Sequence, residues 1–263
     1  MRDKEVSYFT YDQELQNLYL DSQENRWNVE TATDWSLPIQ VGDDEKEALK
    51  VIVHHAACNE HLSLQSLGPG LARYIQHYNL SHCISAFTEE EARHAYAFGK
   101  YFEKLTDRKL PQLLKPEAED IAIFKKLNKA SLISPGGVAL VAVLIETVGC
   151  STFEYLYSKI TEPVLSRLLG AILTDEKRHV RICSTAYKLF HNTGSSYEAR
   201  RNRIILTIAR QHLYREERFE SKYFKAVDKI GSSREMVDHV KARICSVLSD
   251  IDPELGKTAK AVL

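Results

Sequence analysis

The pentapeptide "EEARH" at residues 90–94 is written again as "DEKRH" at residues 175–179, so an acidic residue, a Glu, a variable position, an Arg and a His recur 85 residues apart. Both copies lie in long helical patterns. Steps of three and four along the first pattern give Ile84, Phe87, Glu91, His94, Phe98, Tyr101 and Leu105. Along the second they give Leu165, Leu169, Ile172, Glu176, His179, Cys183, Ala186 and Phe190. Residues at that spacing share one helix face. Each helix therefore carries one Glu and one His within an otherwise apolar, inward-facing stripe.

Two more stripes each contain a single acid. One runs Val53, Ala57, Glu60, Leu64, Leu67, Leu71, and the other Ala139, Ala142, Glu146, Gly149, Phe153, Leu156, Ile160. Glu154 competes with Glu146 but falls off its stripe, and His54, His55, Asn59 and His61 crowd around Glu60. Four helices thus aim four carboxylates and two imidazoles at one core. A buried carboxylate without a partner costs several kcal/mol, so cations must balance the set. One Glu from each of two helices with Glu-x-x-His from each of two others is the ligand pattern of carboxylate-bridged dimetal bundles. Oxygen-rich sites with one imidazole per metal suit iron or manganese better than zinc. The expected ligands are Glu60, Glu91, His94, Glu146, Glu176 and His179, holding two iron ions, with manganese as the alternative. A metal-bound His usually passes its other N–H to an acid. Glu90 and Asp175 are placed to accept from the His of the opposite helix, with Arg93 and Arg178 neutralising them.

The rest of the chain reads as all-α, because no stretch alternates as a strand does. Residues 1–43 are expected to form an irregular arm anchored by Trp27 and Trp35, residues 44–250 the helical domain, and residues 251–263 a tail. Within the domain a break is expected at "LGPG" (67–70), and two additional helices, roughly 197–230 and 233–249, follow the bundle. A length of 263 residues allows a sizeable core. A net charge of −1 advertises neither nucleic acid nor a membrane surface. No apolar run reaches the roughly 18 residues of a membrane span, and the start has no signal-peptide core. The five cysteines show no paired spacing. These features describe a soluble cytoplasmic protein.

At the twin pentapeptides and along "ETVGCSTFEYLYSKITEPVLSRLLGAILTDEKRH" (146–179) the sequence resembles the ferritin-like di-iron carboxylate superfamily. Within it, the soluble acyl-carrier-protein desaturases are the most similar, and the resemblance covers residues 45–192. It implies a ferritin-like four-helix bundle that binds two ferrous ions and activates O2 as co-substrate, with the six ligands above as the catalytic set. It also implies a homodimer and, since no dinucleotide or iron–sulfur motif is present, a separate reductase or ferredoxin as electron donor. Where related enzymes keep a Thr near the third-helix Glu, this chain has Gly149 and Cys150. Phe98 stands where ribonucleotide reductase small subunits place a radical Tyr, which argues against that role. Gly149, Cys150, Phe98, Phe153 and Cys183 are the expected pocket residues. The function implied is an O2-dependent oxidase or oxygenase, desaturating or hydroxylating an acyl chain on a carrier protein that docks on Arg108, Lys109, Lys115, Lys125, Lys126 and Lys129. The alternatives are an N-oxygenase or another small-molecule oxidase, and a non-catalytic iron-binding protein.

Overall fold

A computed structural model describes residues 2–74, 77–110, 116–131, 134–191, 195–213 and 216–263, with eleven helices and no strand among them. The bundle consists of α2 (Asp43–Tyr74), α3 (Tyr78–Thr106), α5 (Pro135–Lys159) and α6 (Pro163–Phe190), with α4 (Ala118–Ser131) in the connection between α3 and α5. The helix starts follow local chemistry. Ser134 accepts from the Gly137 amide ahead of Pro135, and Glu162 accepts from the Val164 and Leu165 amides ahead of Pro163. These bonds satisfy amides that have no partner within the helix, at positions where proline loses nothing. Asp107 ends α3 in the left-handed conformation at φ 55°.

The core is in two apolar halves. One gathers Leu80, Ile84 and Phe87 of α3, Ala139 to Leu144 of α5, and Ile182, Cys183 and Ala186 of α6. The other gathers Leu49, Ile52 and Val53 of α2, Phe98, Tyr101 and Leu105 of α3, Phe153 and Leu156 of α5, and Leu165, Leu169 and Ile172 of α6. The early part of α3 and of α5 thus meets the late part of α6, so α6 runs opposite to both. The early part of α2 meets the late part of α3, making that pair antiparallel as well. Between the halves lies a polar layer, because each stripe places its acid midway along its helix.

Several expectations are corrected. Residues 2–24 are not irregular: α1 (Arg2–Glu24) packs on α3 and α6 through Leu15 and Leu18, a stripe too narrow to stand out in a polar sequence, and the irregular arm is confined to residues 25–42. α2 continues through "LGPG" without the expected break. A proline deletes one helical hydrogen bond, and packing on α3 and α9 supports the rest of the helix. The side chains of Leu67 and Leu71 lie outside the described residues. The single helix expected over 197–230 is instead α7 (Ser196–Leu213), α8 (Glu216–Phe219) and α9 (Lys222–Ile230). After α10 (Ser233–Ile251), the expected tail forms α11 (Pro253–Val262), started by Asp252 accepting from the Glu254 and Leu255 amides and anchored by buried Leu255 and Ala259. α5 is long and apolar enough to cross a membrane by length and composition, but 78% of its most apolar window is buried within the bundle. A helix apolar all round belongs in a core of this kind.

Candidate metal centre

The polar layer holds Glu60 from α2, Glu91 and His94 from α3, Glu146 from α5, and Glu176 and His179 from α6, all buried. Their ligating atoms form two groups. Glu60, Glu91, His94 and Glu176 offer atoms within 4.8 Å of one another, as do Glu91, Glu146, Glu176 and His179. Glu91 and Glu176 belong to both groups. His94 Nδ1 lies 3.1 Å from Glu60 Oε2 and 3.2 Å from Glu176 Oε1. His179 Nδ1 lies 3.1 Å from Glu91 Oε1 and 3.4 Å from Glu146 Oε2. Although oxygens surround it, buried His179 Nδ1 makes no hydrogen bond of acceptable geometry among the described residues.

Each outward Nε2 meets the acid that precedes the opposite helix's Glu. His94 donates to Asp175 Oδ2 at 3.1 Å and His179 to Glu90 Oε2 at 2.8 Å. Arg178 reaches Glu90 at 2.6 Å and Asp175 at 2.5 Å, and Arg93 reaches Asp175 at 3.1 Å. These contacts direct both Nδ1 atoms inward. The buried layer holds six carboxylates (Glu60, Glu90, Glu91, Glu146, Asp175, Glu176) and two guanidiniums (Arg93, Arg178). With neutral histidines, four negative charges remain, which two divalent cations cancel. Without cations, protons take their place. Burial, reinforced by the Glu91 charge, pushes the Glu60 carboxyl well above its usual range and Glu146 up to about 8. Burial alone would lower His94, but its bonds to Asp175, Glu176 and Glu60 outweigh this and hold it well above the ordinary histidine value. Burial would raise Asp175, but the His94 and Trp27 bonds hold it well below the carboxylate range. The residues present fit a dimetal site.

Trp27 carries a role that sequence reasoning missed. Its indole N–H donates to Asp175 Oδ2 at 2.7 Å, its ring lies nearly parallel to His94 at 6.2 Å, and the Arg93 guanidinium sits 5.0 Å over it. A Trp in an irregular arm gives no periodic signal, so only the fold reveals this contact. Asp21 of α1 likewise pairs with Arg178 at 3.1 Å. Glu154 faces away from the centre, toward Lys177, His239 and Arg243.

Beside the layer opens a cavity of about 180 Å³, reaching Glu60, Glu91, Glu146 and Glu176 and walled by Ile52, Leu144, Phe153, Met236, Val240 and other apolar side chains. Gly149 and Phe153 line it. A Cβ at Gly149 would stand 3.4 Å from Glu176 Oε2, so glycine leaves the space next to that carboxylate open. Phe98 packs against Phe153 from behind, while Cys150 and Cys183 are buried in opposite halves of the core. Burial pushes the Cys150 thiol up to about 12. His55 and Asn59 also face the cavity, with Asp120 of α4, His212 of α7 and Arg218 of α8. Their separation in sequence hid this grouping. The expected docking residues Arg108, Lys109, Lys125, Lys126 and Lys129 are exposed, and Lys115 lies outside the described residues.

No protein-family model matches the chain, and no curated protein matches it in sequence. Among solved structures, it is similar to an R2-like ligand-binding oxidase with an aerobically reconstituted Mn/Fe cofactor. Identity is 16%, the match covers 95% of this chain and 92% of that one, and the TM-score is 0.66. A protein described as a putative class I ribonucleotide reductase, from Bacillus halodurans, has the same identity and TM-score over 92% of this chain and 95% of its own. A tyrosine-to-phenylalanine variant of the R2-like oxidase, again with Mn/Fe, matches at 17% identity and TM-score 0.55, over 94% of this chain and 90% of that chain. At these identities the likeness establishes a shared fold, the ferritin-like helical bundle.

Proposed function

We propose that this ferritin-like bundle is an O2-dependent oxidoreductase that holds two metal ions, iron or manganese with iron, and oxidises a small, largely apolar substrate. The observation that carries this reading is the pair of buried ligand groups sharing Glu91 and Glu176, whose surplus charge two divalent ions would cancel. The Mn/Fe cofactor of the R2-like oxidase supports the choice of metals. When bound, such a pair supplies the electrons and the Lewis acidity that O2 activation requires.

The chain's own groups do the rest. Glu60 with His94 would serve one ion and Glu146 with His179 the other, and Glu91 and Glu176 would contribute to both. Asp175 and Glu90 fix both imidazoles with Nδ1 inward. The apolar walls keep bulk water from the reacting space and admit a hydrocarbon surface, and Gly149 leaves room for it beside Glu176. A free small molecule is favoured over an acyl chain on a carrier protein, because the cavity has its own polar end at His55, Asp120 and Arg218. Desaturation, hydroxylation and related oxidations of that molecule all use the same centre.

The test is anaerobic loading with ferrous iron, followed by metal analysis and an O2-induced absorption spectrum, beside a Glu91→Ala/Glu176→Ala variant. Two ions per chain and an O2-dependent band, both lost in the variant, are expected. A parent that takes up no metal would overturn the proposal.

A further inference from the structure

The cavity that reaches the carboxylate layer has a second polar end, built from α2, α4, α7 and α8. Asp120, in the first turn of α4, is only 4% exposed. Its Oδ1 lies 3.4 Å from Arg218 NH2 and 3.6 Å from His212 Nε2. Its Oδ2 accepts no hydrogen bond among the described residues, and His55 Nδ1 lies 3.7 Å from it. On the other side of the His55 ring, Asn59 donates from Nδ2 to Nε2 at 3.0 Å, while its own buried Oδ1 also lacks a donor among the described residues. Two oxygens thus face an apolar chamber in need of donors. Such groups are costly when left unmet.

The charge pattern chooses the ligand. Arg218 already donates to the His212 carbonyl at 3.2 Å and to Asp120, and packs over the Phe224 ring at 5.3 Å. An incoming anion would have to share that committed guanidinium and would face the Asp120 carboxylate. A cation meets the unfilled Oδ2 directly. Burial raises the Asp120 carboxyl, which shows that Arg218 compensates its charge only partly. A surface groove between α4 and α7 shares Ile123 and His212 with the cavity wall.

We propose that this end of the cavity binds the protonated nitrogen of an amphipathic amine on Asp120, with the hydrocarbon part lying along the apolar wall toward Glu91 and Glu176. The nitrogen is then held away from the carboxylate layer, so the carbon chain is what the centre meets. That last step rests on the dimetal reading, whereas the amine site itself does not.

The experiment is calorimetric titration of the full-length, metal-free protein with butylamine, octylamine and dodecylamine, with octanoate and octanol as controls. Octylamine is expected to bind about tenfold or more tightly than octanoate or octanol, and Asp120→Asn to weaken it by a similar factor. Arg218→Gln, which removes the competing cation, is expected to strengthen octylamine binding, and this decides the matter if Asp120→Asn fails to fold. Octanoate or octanol binding as well as octylamine, amine binding unchanged in Asp120→Asn, or weaker amine binding in Arg218→Gln would each overturn the proposal. Iron uptake is measured on the same preparations. Two ions bound without amine selectivity defeats only this inference, and amine selectivity without metal uptake defeats only the dimetal reading.

Discussion

His55 gives a sharp test of the cavity's inner environment. Its ring stacks on Tyr223 at 3.9 Å, accepts from Asn59 and is only 13% exposed. Burial is the largest influence on it, opposed by the Glu117 charge and assisted by Arg218, and the imidazole is pushed down to about 4 from 6.5. The folded state therefore refuses a proton that the unfolded chain accepts, so stability falls as pH drops from 6.5 toward 4 and loses nothing more from this group below that. The full difference is about 3 kcal/mol, of which about 2 kcal/mol develops between about pH 7.5 and about pH 5. Urea unfolding of the metal-free parent and of His55→Gln at those two pH values measures it. Other titrating groups are common to both proteins and cancel in the double difference. The parent should lose about 2 kcal/mol more than the variant, roughly 4–8 °C in Tm for a chain of this size. Equal losses would mean that the imidazole is charged or solvated in the folded protein, and its burial against Tyr223 would not govern its protonation.

The carboxylate layer offers further tests. Glu60→Ala should lower iron uptake from two ions to one, because Glu60 serves only one ligand group, while Glu91→Ala should damage both sites; metal analysis after desalting distinguishes them. Asp175→Asn, which replaces the charged acceptor that orients His94 with a neutral amide, should weaken metal affinity roughly 10–100-fold, read by competition with a chelator. Gly149→Val places methyl groups beyond a Cβ that already stands 3.4 Å from Glu176 Oε2. It should cost about 1–3 kcal/mol in chemical denaturation and reduce metal occupancy. Trp27→Phe, which deletes the indole donor to Asp175, should cost about 1–3 kcal/mol, and a loss no larger than that of an exposed Tyr78→Phe control would refute its anchoring role.

The bundle was legible because the polar residues that break its four apolar stripes keep the helical period, so their inward direction follows from spacing alone. The pairing of Glu90 and Asp175 with the opposite histidines followed from the same register. α1 escaped because Leu15 and Leu18 are a short stripe among polar residues, and its packing is decided by α3 and α6. Pro253 and Asp252 do mark the start of α11, but a ten-residue helix at the end of a chain is held by tertiary packing more than by its own propensity. The cavity's second polar end was hidden for a different reason. Asp120 in the first turn of α4 reads as an ordinary solvated acid near a helix start. It is met by His55 of α2, His212 of α7 and Arg218 of α8, which no local pattern brings near it.

The layer that parts the core also bears on how the chain survives. Without ions, the two apolar halves of the core are parted by a layer of buried carboxylates that must be held neutral by protons, which makes that layer the weakest seam of the bundle. Ions gripped by Glu91 and Glu176 would join α3 to α6 across that seam and make the halves rise and fall together. Proteolysis follows the population of opened forms. A newly made chain that met no metal would therefore be cut soonest at its centre, and insertion of the ions would act as a clasp that marks the finished molecule for long life.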